Sequence, residues 1–90
     1  MTKNYRIRVS GTVQGVWFRK YTQEAAKGYS LVGSVKNEKD GGVLVEAEGE
    51  EKDLMSLVNW LHKGSPLSKV SEVTWEEGKV EGYTEFKISR

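Results

Sequence analysis

Residues 5–19 read YRIRVSGTVQGVWFR and join three kinds of local structure in a row. Apolar residues alternate with polar ones from Tyr5 to Val9, and a period of two predicts a half-buried strand. Gly11 and Gly15 then interrupt the pattern, as expected of a loop. From Phe18 onward the apolar residues recur at helical spacing. The stretch therefore predicts a strand that passes through a glycine loop directly into a helix.

Two helices are predicted from the spacing of apolar residues. The first has its apolar stripe in Phe18, Tyr21, Ala25 and Tyr29, with Ala26 beside them, and Gly28 is a plausible end. The second follows the i, i+3, i+4, i+7 pattern in Leu54, Leu57, Val58 and Leu61. After Lys63, Gly64 can take a left-handed conformation and Pro66 prevents continuation. Both segments are therefore expected to bury one side against a common core.

The remaining apolar segments predict strands. Residues 31–35 form a short apolar run, and Asp40-Gly41-Gly42 is a hairpin signal before residues 43–48. In that third strand the apolar residues alternate with Glu46 and Glu48, which predicts a solvated outer face. Two further strands are expected at Val73–Trp75 and Phe86–Ile88. Residues 76–82 are expected to be a loose, charged turn between them.

The order of elements is β-α-β-β-α-β with a possible extra strand at the end. This order predicts an α+β, two-layer sandwich with an antiparallel sheet, two helices on one face and water on the other. At 90 residues the chain is too short for a second core, so residues 1–90 are expected to form a single domain.

The composition excludes several kinds of chemistry. The chain has no cysteine and one histidine, His62, so thiol nucleophiles and thiolate metal sites are excluded. Fourteen Lys and Arg against thirteen Asp and Glu give a net charge of +1, which favours neither nucleic acid nor an anionic membrane as partner. The longest uncharged stretch, residues 9–18, is shorter than the roughly 20 residues of a membrane helix. No secretory signal is visible, and a cytoplasmic protein is expected.

The junction between the first strand and the first helix can form an anion site. Successive backbone N–H groups of residues 13–18 can converge on one point, and the helix N-terminus adds partial positive charge. Arg19 would add a planar fork of donors that suits phosphate oxygens. On spacing alone, a glycine turn followed by a surface arginine fits the same residues equally well. The loop lacks the Gly-Lys-Ser/Thr ending of a Walker motif.

These residues carry a family resemblance. Residues 9–19, VSGTVQGVWFR, resemble the first signature of the acylphosphatases. Residues 33–43, GSVKNEKDGGV, running on to Gly49, resemble the second, and Phe86–Ile88 resembles the last strand of the family. The resemblance implies a small ferredoxin-like fold, with residues 1–90 forming a single acylphosphatase-like domain.

The resemblance also implies an activity and its residues. An acylphosphatase is a hydrolase that converts an acyl phosphate to a carboxylate and inorganic phosphate. The family's phosphate-binding arginine corresponds to Arg19 and its water-orienting asparagine to Asn37. The backbone cradle corresponds to Val13, Gln14, Gly15, Val16, Trp17 and Phe18. No metal or cofactor is implied, and a monomer that binds only small molecules is expected. For Gln14 we expect the backbone N–H to matter more than the side-chain amide.

Two positions depart from the family pattern. Ser34 stands where an aromatic residue is usual, and Ser30 stands where glycine is usual. Because neighbouring residues of a strand face opposite sides, Ser34 is expected to face away from Asn37. Lost packing rather than lost chemistry is therefore expected at Ser34.

An alternative function is a non-catalytic module on the same fold, since fold does not decide function. It would bind phosphate or carbamoyl phosphate, as in larger hydrogenase-maturation proteins, or RNA. RNA recognition on this fold uses aromatic residues on the third strand, and residues 43–48 contain none. A chain of 90 residues leaves no room for the rest of a hydrogenase-maturation protein.

Overall fold

The elements follow the predicted order and end with one short strand. The structure, a computed structural model, describes residues 1–89. Its strands are β1 Lys3–Thr12, β2 Val32–Asn37, β3 Val43–Gly49, β4 Lys69–Gly78 and β5 Phe86–Ile88. Its helices are α1 Phe18–Gly28 and α2 Glu51–Lys63. Neither helix is long and apolar enough to cross a membrane.

The sheet has the strand order β4-β1-β3-β2-β5. The pairs β1–β4, β1–β3 and β2–β3 are antiparallel, which confirms the predicted frame. β5 adds to the edge as a parallel partner of β2, so the complete sheet is mixed. Because β4 and β5 lie at opposite edges and run in opposite directions, residues 79–85 must cross the sheet from one edge to the other.

Both helices pack on one face and share one core. The four apolar residues predicted for α2 are each at most 1% exposed. In α1 the buried residues are Phe18, Thr22 and Ala26, whereas Tyr21 is 42% exposed, so the predicted stripe was wrong at Tyr21. At 3.6 residues per turn, a residue four positions after Phe18 lies closer to the line through Phe18 and Ala26 than one three positions after it.

The outer face of the sheet was predicted to be solvated, but part of it is covered by the chain. Glu48 is only 1% exposed, so its expected place on a solvated face was wrong. The backbone N–H groups of Glu81, Gly82 and Tyr83 donate to its carboxylate, the last two at 3.0 and 3.3 Å. Asn4 Nδ2 donates to the same carboxylate at 2.7 Å. One acidic side chain thus binds three consecutive residues of the crossing segment, residues 79–85, to the sheet.

These hydrogen bonds decide the charge of Glu48. Burial alone would raise the pKa of its carboxyl group. The hydrogen bonds from Glu81, Asn4, Gly82 and Tyr83 outweigh burial and hold the pKa of Glu48 below the ordinary value of 4.5. Glu48 is therefore a carboxylate at neutral pH, although it is surrounded by protein.

The segment predicted as a loose turn is partly strand. Residues 76–78 belong to β4 and pair with β1, with Arg6 opposite Glu76 and Asn4 opposite Gly78. Pairing continues because β1 begins at Lys3, two residues earlier than its apolar alternation indicates. Only the part after Gly78 leaves the sheet edge.

Ser30, where the family resemblance predicted glycine, has a backbone conformation that favours glycine. Its φ is 60°, in the left-handed region that favours glycine. The turn is fixed by backbone bonds from the N–H of Ser30 to the Lys27 carbonyl at 3.0 Å and from Leu31 to the Ala26 carbonyl at 2.9 Å. Ser30 therefore adopts an unfavourable conformation so that the chain can pass from α1 into β2.

Replacing Ser30 with glycine is expected to stabilise the protein by about 0.5–1 kcal/mol. Removing the left-handed strain gains about 1–2 kcal/mol, and the greater freedom of glycine in the unfolded chain offsets part of it. Chemical denaturation measures the difference. Ser30→Ala is the matched control, since it keeps a Cβ atom and the strain. An equal gain in both variants would contradict the explanation.

Ser34 lies on the outer face of β2, opposite Glu46. Its neighbour Val35 is fully buried in the core on the other face. The side chain of Tyr83, in the crossing segment, interacts with both Ser34 and Glu46. A tyrosine from a distant part of the chain thus packs close to Ser34, where the family resemblance predicted an aromatic residue.

Candidate active site

The loop between β1 and α1 has a backbone shape that exposes donors. Gly15 has a φ of 74°, in the left-handed region that favours glycine. Trp17 precedes α1 in a left-handed conformation with a φ of 61° and makes no side-chain capping bond. The first turn of α1 carries no acidic residue. The partial positive charge of the helix N-terminus is therefore not offset by a capping side chain or a first-turn carboxylate.

Two side chains hold this loop in place. Gln14 Nε2 donates to the carbonyl oxygens of Glu38 and Gly42, each at 2.8 Å, and so joins the loop to the β2–β3 hairpin. Ser65 Oγ donates to the Val16 carbonyl at 3.1 Å, and Ser65 is 3% exposed. These bonds use side-chain donors and backbone acceptors. They fix the loop without occupying its own N–H groups.

The turn after α2 packs against Phe18, the residue that ends the loop and begins α1. Gly64 has a φ of 74° and lies so close to Phe18 that an added Cβ atom would come within 3.1 Å of the ring. Phe18 also packs against Trp60, with ring centroids 6.1 Å apart. Phe18 and Val13 are each 1% exposed, so their side chains are packed within the protein and help to fix the loop.

Arg19 lies in the first turn of α1 and is half-buried. Its Nη1 atom is 3.4 Å from the carbonyl oxygen of Ser89, just beyond β5. The N–H of Ser89 in turn donates to the Val35 carbonyl of β2 at 2.8 Å. Arg19 therefore lies near the end of β2. It lines an open cleft of about 430 Å³ together with Val13, Gly15, Trp17, Phe18, Lys20 and Ile88.

Asn37 is the last residue of β2 and pairs with Val43. Its Oδ1 atom is buried and has no hydrogen-bond donor among residues 1–89. Buried polar atoms are rarely left unpaired, so this oxygen needs an explanation. Gln14 binds the carbonyl of Glu38, directly after Asn37, while Ser89 binds the carbonyl two residues before it. The glycine loop and the Arg19 segment are thus tied to β2 on either side of Asn37.

The structure brings the predicted residues to one end of the sheet. The loop of residues 13–18, Arg19 and Asn37 are joined through short chains of hydrogen bonds. Sequence reasoning missed two supporting groups, the side-chain amide of Gln14 and the hydroxyl of Ser65. The polar Gln14 between Val13 and Gly15 was a visible signal, because a loop glutamine can bridge backbone carbonyls. Nothing in the spacing of Ser65 indicated its contact.

The arrangement can surround an anion with backbone N–H groups and a guanidinium, with an amide group nearby. The fold and this site define a small ferredoxin-like α+β domain with a backbone loop and an arginine at one end of the sheet. The family model for acylphosphatases matches residues 5–88. The chain belongs to the acylphosphatase family, and the prediction of a hydrolase of that family is confirmed.

Individual relatives agree with this assignment. The acylphosphatase of Bacillus licheniformis is 46% identical over 86 residues, which cover 94% of this chain and 96% of that protein. The crystal structure of acylphosphatase from Bacillus subtilis matches with a TM-score of 0.95 and 44% identity over 100% of both chains. The structure of HypF from T. kodakarensis matches with a TM-score of 0.86 and 32% identity, over 98% of this chain and 12% of that one.

Proposed function

We propose that the chain hydrolyses the carboxyl–phosphate anhydride of acyl phosphates, releasing a carboxylate and inorganic phosphate. The N–H groups of residues 13–18 and the guanidinium of Arg19 bind the phosphoryl oxygens. Asn37 orients the attacking water. All of these groups come from one chain, so the proposal requires no second subunit.

The loop and Arg19 stabilise the negative charge on the oxygens of the transferred phosphoryl group. Phosphoryl transfer depends mainly on positioning and on stabilising charge on the equatorial oxygens. Donors that are already fixed need no reorganisation when that charge develops. The anchors at Gln14 and Ser65 support this role, because they hold the loop and leave its N–H groups to face a ligand.

Asn37 positions the nucleophile, which is the attacking water. The observation that carries the proposal is its buried Oδ1, which lacks a donor among the described residues and lies in a strand tied to the loop. A water molecule that donates to this oxygen would satisfy it and be held at a fixed position. A neutral amide is a weak base, so its part is to position the water rather than to deprotonate it.

The leaving group explains why no general acid is needed. The departing carboxylate has a pKa of about 4, so it can leave without a proton at neutral pH. The phosphorus–oxygen bond to the incoming water forms while the bond to the carboxylate oxygen breaks, and the water protons pass to solvent and phosphate. The scheme uses neither a histidine nor a thiol, in accord with the composition of the chain.

The direct experiment is to follow hydrolysis of benzoyl phosphate by the purified chain. We expect turnover that inorganic phosphate inhibits competitively and that EDTA leaves unchanged. Strong inhibition by EDTA would favour a metal-dependent mechanism instead. Binding of phosphate without any hydrolysis would contradict the proposal.

Arg19→Ala is expected to raise KM and lower turnover, with a combined loss in kcat/KM of about 10–100-fold. The guanidinium contacts the phosphoryl group both before and during transfer, so its loss affects binding and rate. Lys27→Ala is the matched control, since Lys27 is an exposed cation in the last turn of the same helix and does not line the cleft. Equal kcat/KM values for Arg19→Ala and the wild type would remove Arg19 from the site.

A non-catalytic phosphate or carbamoyl-phosphate module remains the second candidate. The observation that favours it is the match to HypF, of which this fold forms a small part. Calorimetric titration with inorganic phosphate, alongside the hydrolysis assay, separates the two functions. Binding with no turnover of any acyl phosphate supports the module.

A further inference from the structure

Trp17 presents a large aromatic side chain to solvent beside the proposed phosphate site. It is 73% exposed, although tryptophan is usually well buried. Its left-handed backbone conformation is unfavourable for a residue with a bulky side chain. Neither core packing nor a helix cap accounts for the ring, because Trp17 makes no side-chain capping bond. The exposed ring therefore has a role other than stabilising the fold.

The cleft next to Trp17 has an apolar wall. Trp17 and Ile88, which is 38% exposed, line the same cleft as Arg19. Ile88 is held there by pairing between β5 and β2. The other cation of the cleft, Lys20, lies 3.8 Å from the carboxylate of Glu24, which partly offsets its charge. The wall formed by Trp17 and Ile88 thus offers a ligand apolar surface, whereas Arg19 provides the charge of the cleft.

We infer that Trp17 and Ile88 form a subsite for the acyl group, and that the enzyme prefers acyl phosphates with an aromatic or extended apolar acyl group over short ones. The inference rests on the proposed function and names the substrate class of the same site. Trp17 would contact the acyl group with its ring face and Ile88 with its branched side chain.

The geometry of the reaction supports this division of the site. In-line displacement places the acyl oxygen and the attacking water on opposite sides of phosphorus. The acyl group therefore needs contacts other than those to Asn37. The phosphate is common to every substrate and is bound by the loop and Arg19, so discrimination between substrates depends on the wall beside them.

The test compares kcat/KM for benzoyl phosphate with kcat/KM for acetyl phosphate. The ratio cancels any general effect of a substitution on the loop, because both substrates carry the same phosphate. In Trp17→Asn the ratio is expected to fall about three- to tenfold, and asparagine tolerates the left-handed conformation. Ile88→Ala is expected to lower the ratio in the same direction. Trp17→Phe keeps a ring and should retain most of the wild-type ratio.

Tyr21→Ala is the matched control. Tyr21 is an exposed aromatic residue that lines a different hollow and does not line the cleft that contains Arg19 and Ile88. Its removal should leave the ratio unchanged. Unchanged ratios in both Trp17→Asn and Ile88→Ala would overturn the subsite, and so would a fall confined to Tyr21→Ala. A wild-type chain that hydrolyses neither substrate would instead overturn the proposed function.

Discussion

Asn37→Ala is expected to lower the turnover of benzoyl phosphate by about 10²–10³-fold, with little change in KM. The amide is proposed to hold the attacking water and not the phosphate, so its loss should affect the step that follows binding. Its oxygen is buried without a donor among residues 1–89, so it can accept a hydrogen bond from the attacking water. Steady-state kinetics on the folded variant measure both parameters.

The control must separate lost chemistry from lost structure. Asn59→Ala removes an exposed amide from α2, on a different element, and should leave turnover unchanged. The thermal midpoint of Asn37→Ala should stay close to that of the wild type, since its Oδ1 makes no hydrogen bond within residues 1–89. A variant that is folded, still inhibited by phosphate and fully active would show that Asn37 does not orient the water.

A KM effect would lead to a different conclusion. If Asn37→Ala raised KM and left turnover unchanged, Asn37 would contribute uniform binding of ground state and transition state. The residue would then belong with Arg19 and the loop as a phosphate contact. The split between the two kinetic parameters therefore tests the assigned role, and not only the presence of Asn37 in the site.

Much of the fold follows from local patterns in the sequence. The four apolar residues of α2 recur at helical spacing and are all buried, because a helix that packs on a sheet has a single apolar side. The hairpin at Asp40–Gly42 forms as predicted, with Gly41 at a φ of 95° and Gly42 donating to Asp40 Oδ1. Both features depend on residues within a few positions of one another.

The features that sequence patterns predicted wrongly or missed depend on contacts between distant parts of the chain. Glu48 alternates with apolar residues like any solvated strand residue, and its burial comes from backbone groups 33 to 35 positions later. Ser65 reaches Val16 across 49 positions. No local pattern encodes these contacts. The family resemblance predicted the residues of the candidate site, whereas the anchors that position them required the structure.

Glu48→Gln is expected to lower the free energy of unfolding by about 2–4 kcal/mol, as several hydrogen bonds to a charged acceptor are weakened. The carboxylate accepts from three consecutive backbone N–H groups and from Asn4. A glutamine side chain has only one acceptor oxygen. Its NH₂ group would face the N–H donors that bind the second carboxylate oxygen, and two donors cannot form a hydrogen bond with each other. The loss is large against a total stability of about 5–15 kcal/mol for a domain of this size.

Glu46→Gln is the matched control for this substitution. Glu46 is the neighbouring outer-face carboxylate of β3 and also accepts from Asn4 Nδ2, at 3.1 Å. None of the hydrogen bonds that link residues 81–83 to Glu48 involves it. Urea denaturation should therefore show a much smaller loss for Glu46→Gln. Glu46 contacts the crossing segment through the side chain of Tyr83 and not through its backbone. Equal losses would therefore mean that the three backbone hydrogen bonds to Glu48 contribute little.

The pH dependence of stability gives a second measure of Glu48. Its folded-state pKa lies below the ordinary value of 4.5, so the unfolded chain binds the proton more readily than the folded one. The contribution of Glu48 is therefore complete above that value and is lost as the pH falls through the lower, folded-state pKa. Between the two values the wild type should lose stability more steeply than Glu48→Gln, so that the difference between them narrows in acid. Parallel curves over this range would show that the hydrogen bonds to Glu48 do not hold its carboxylate ionised.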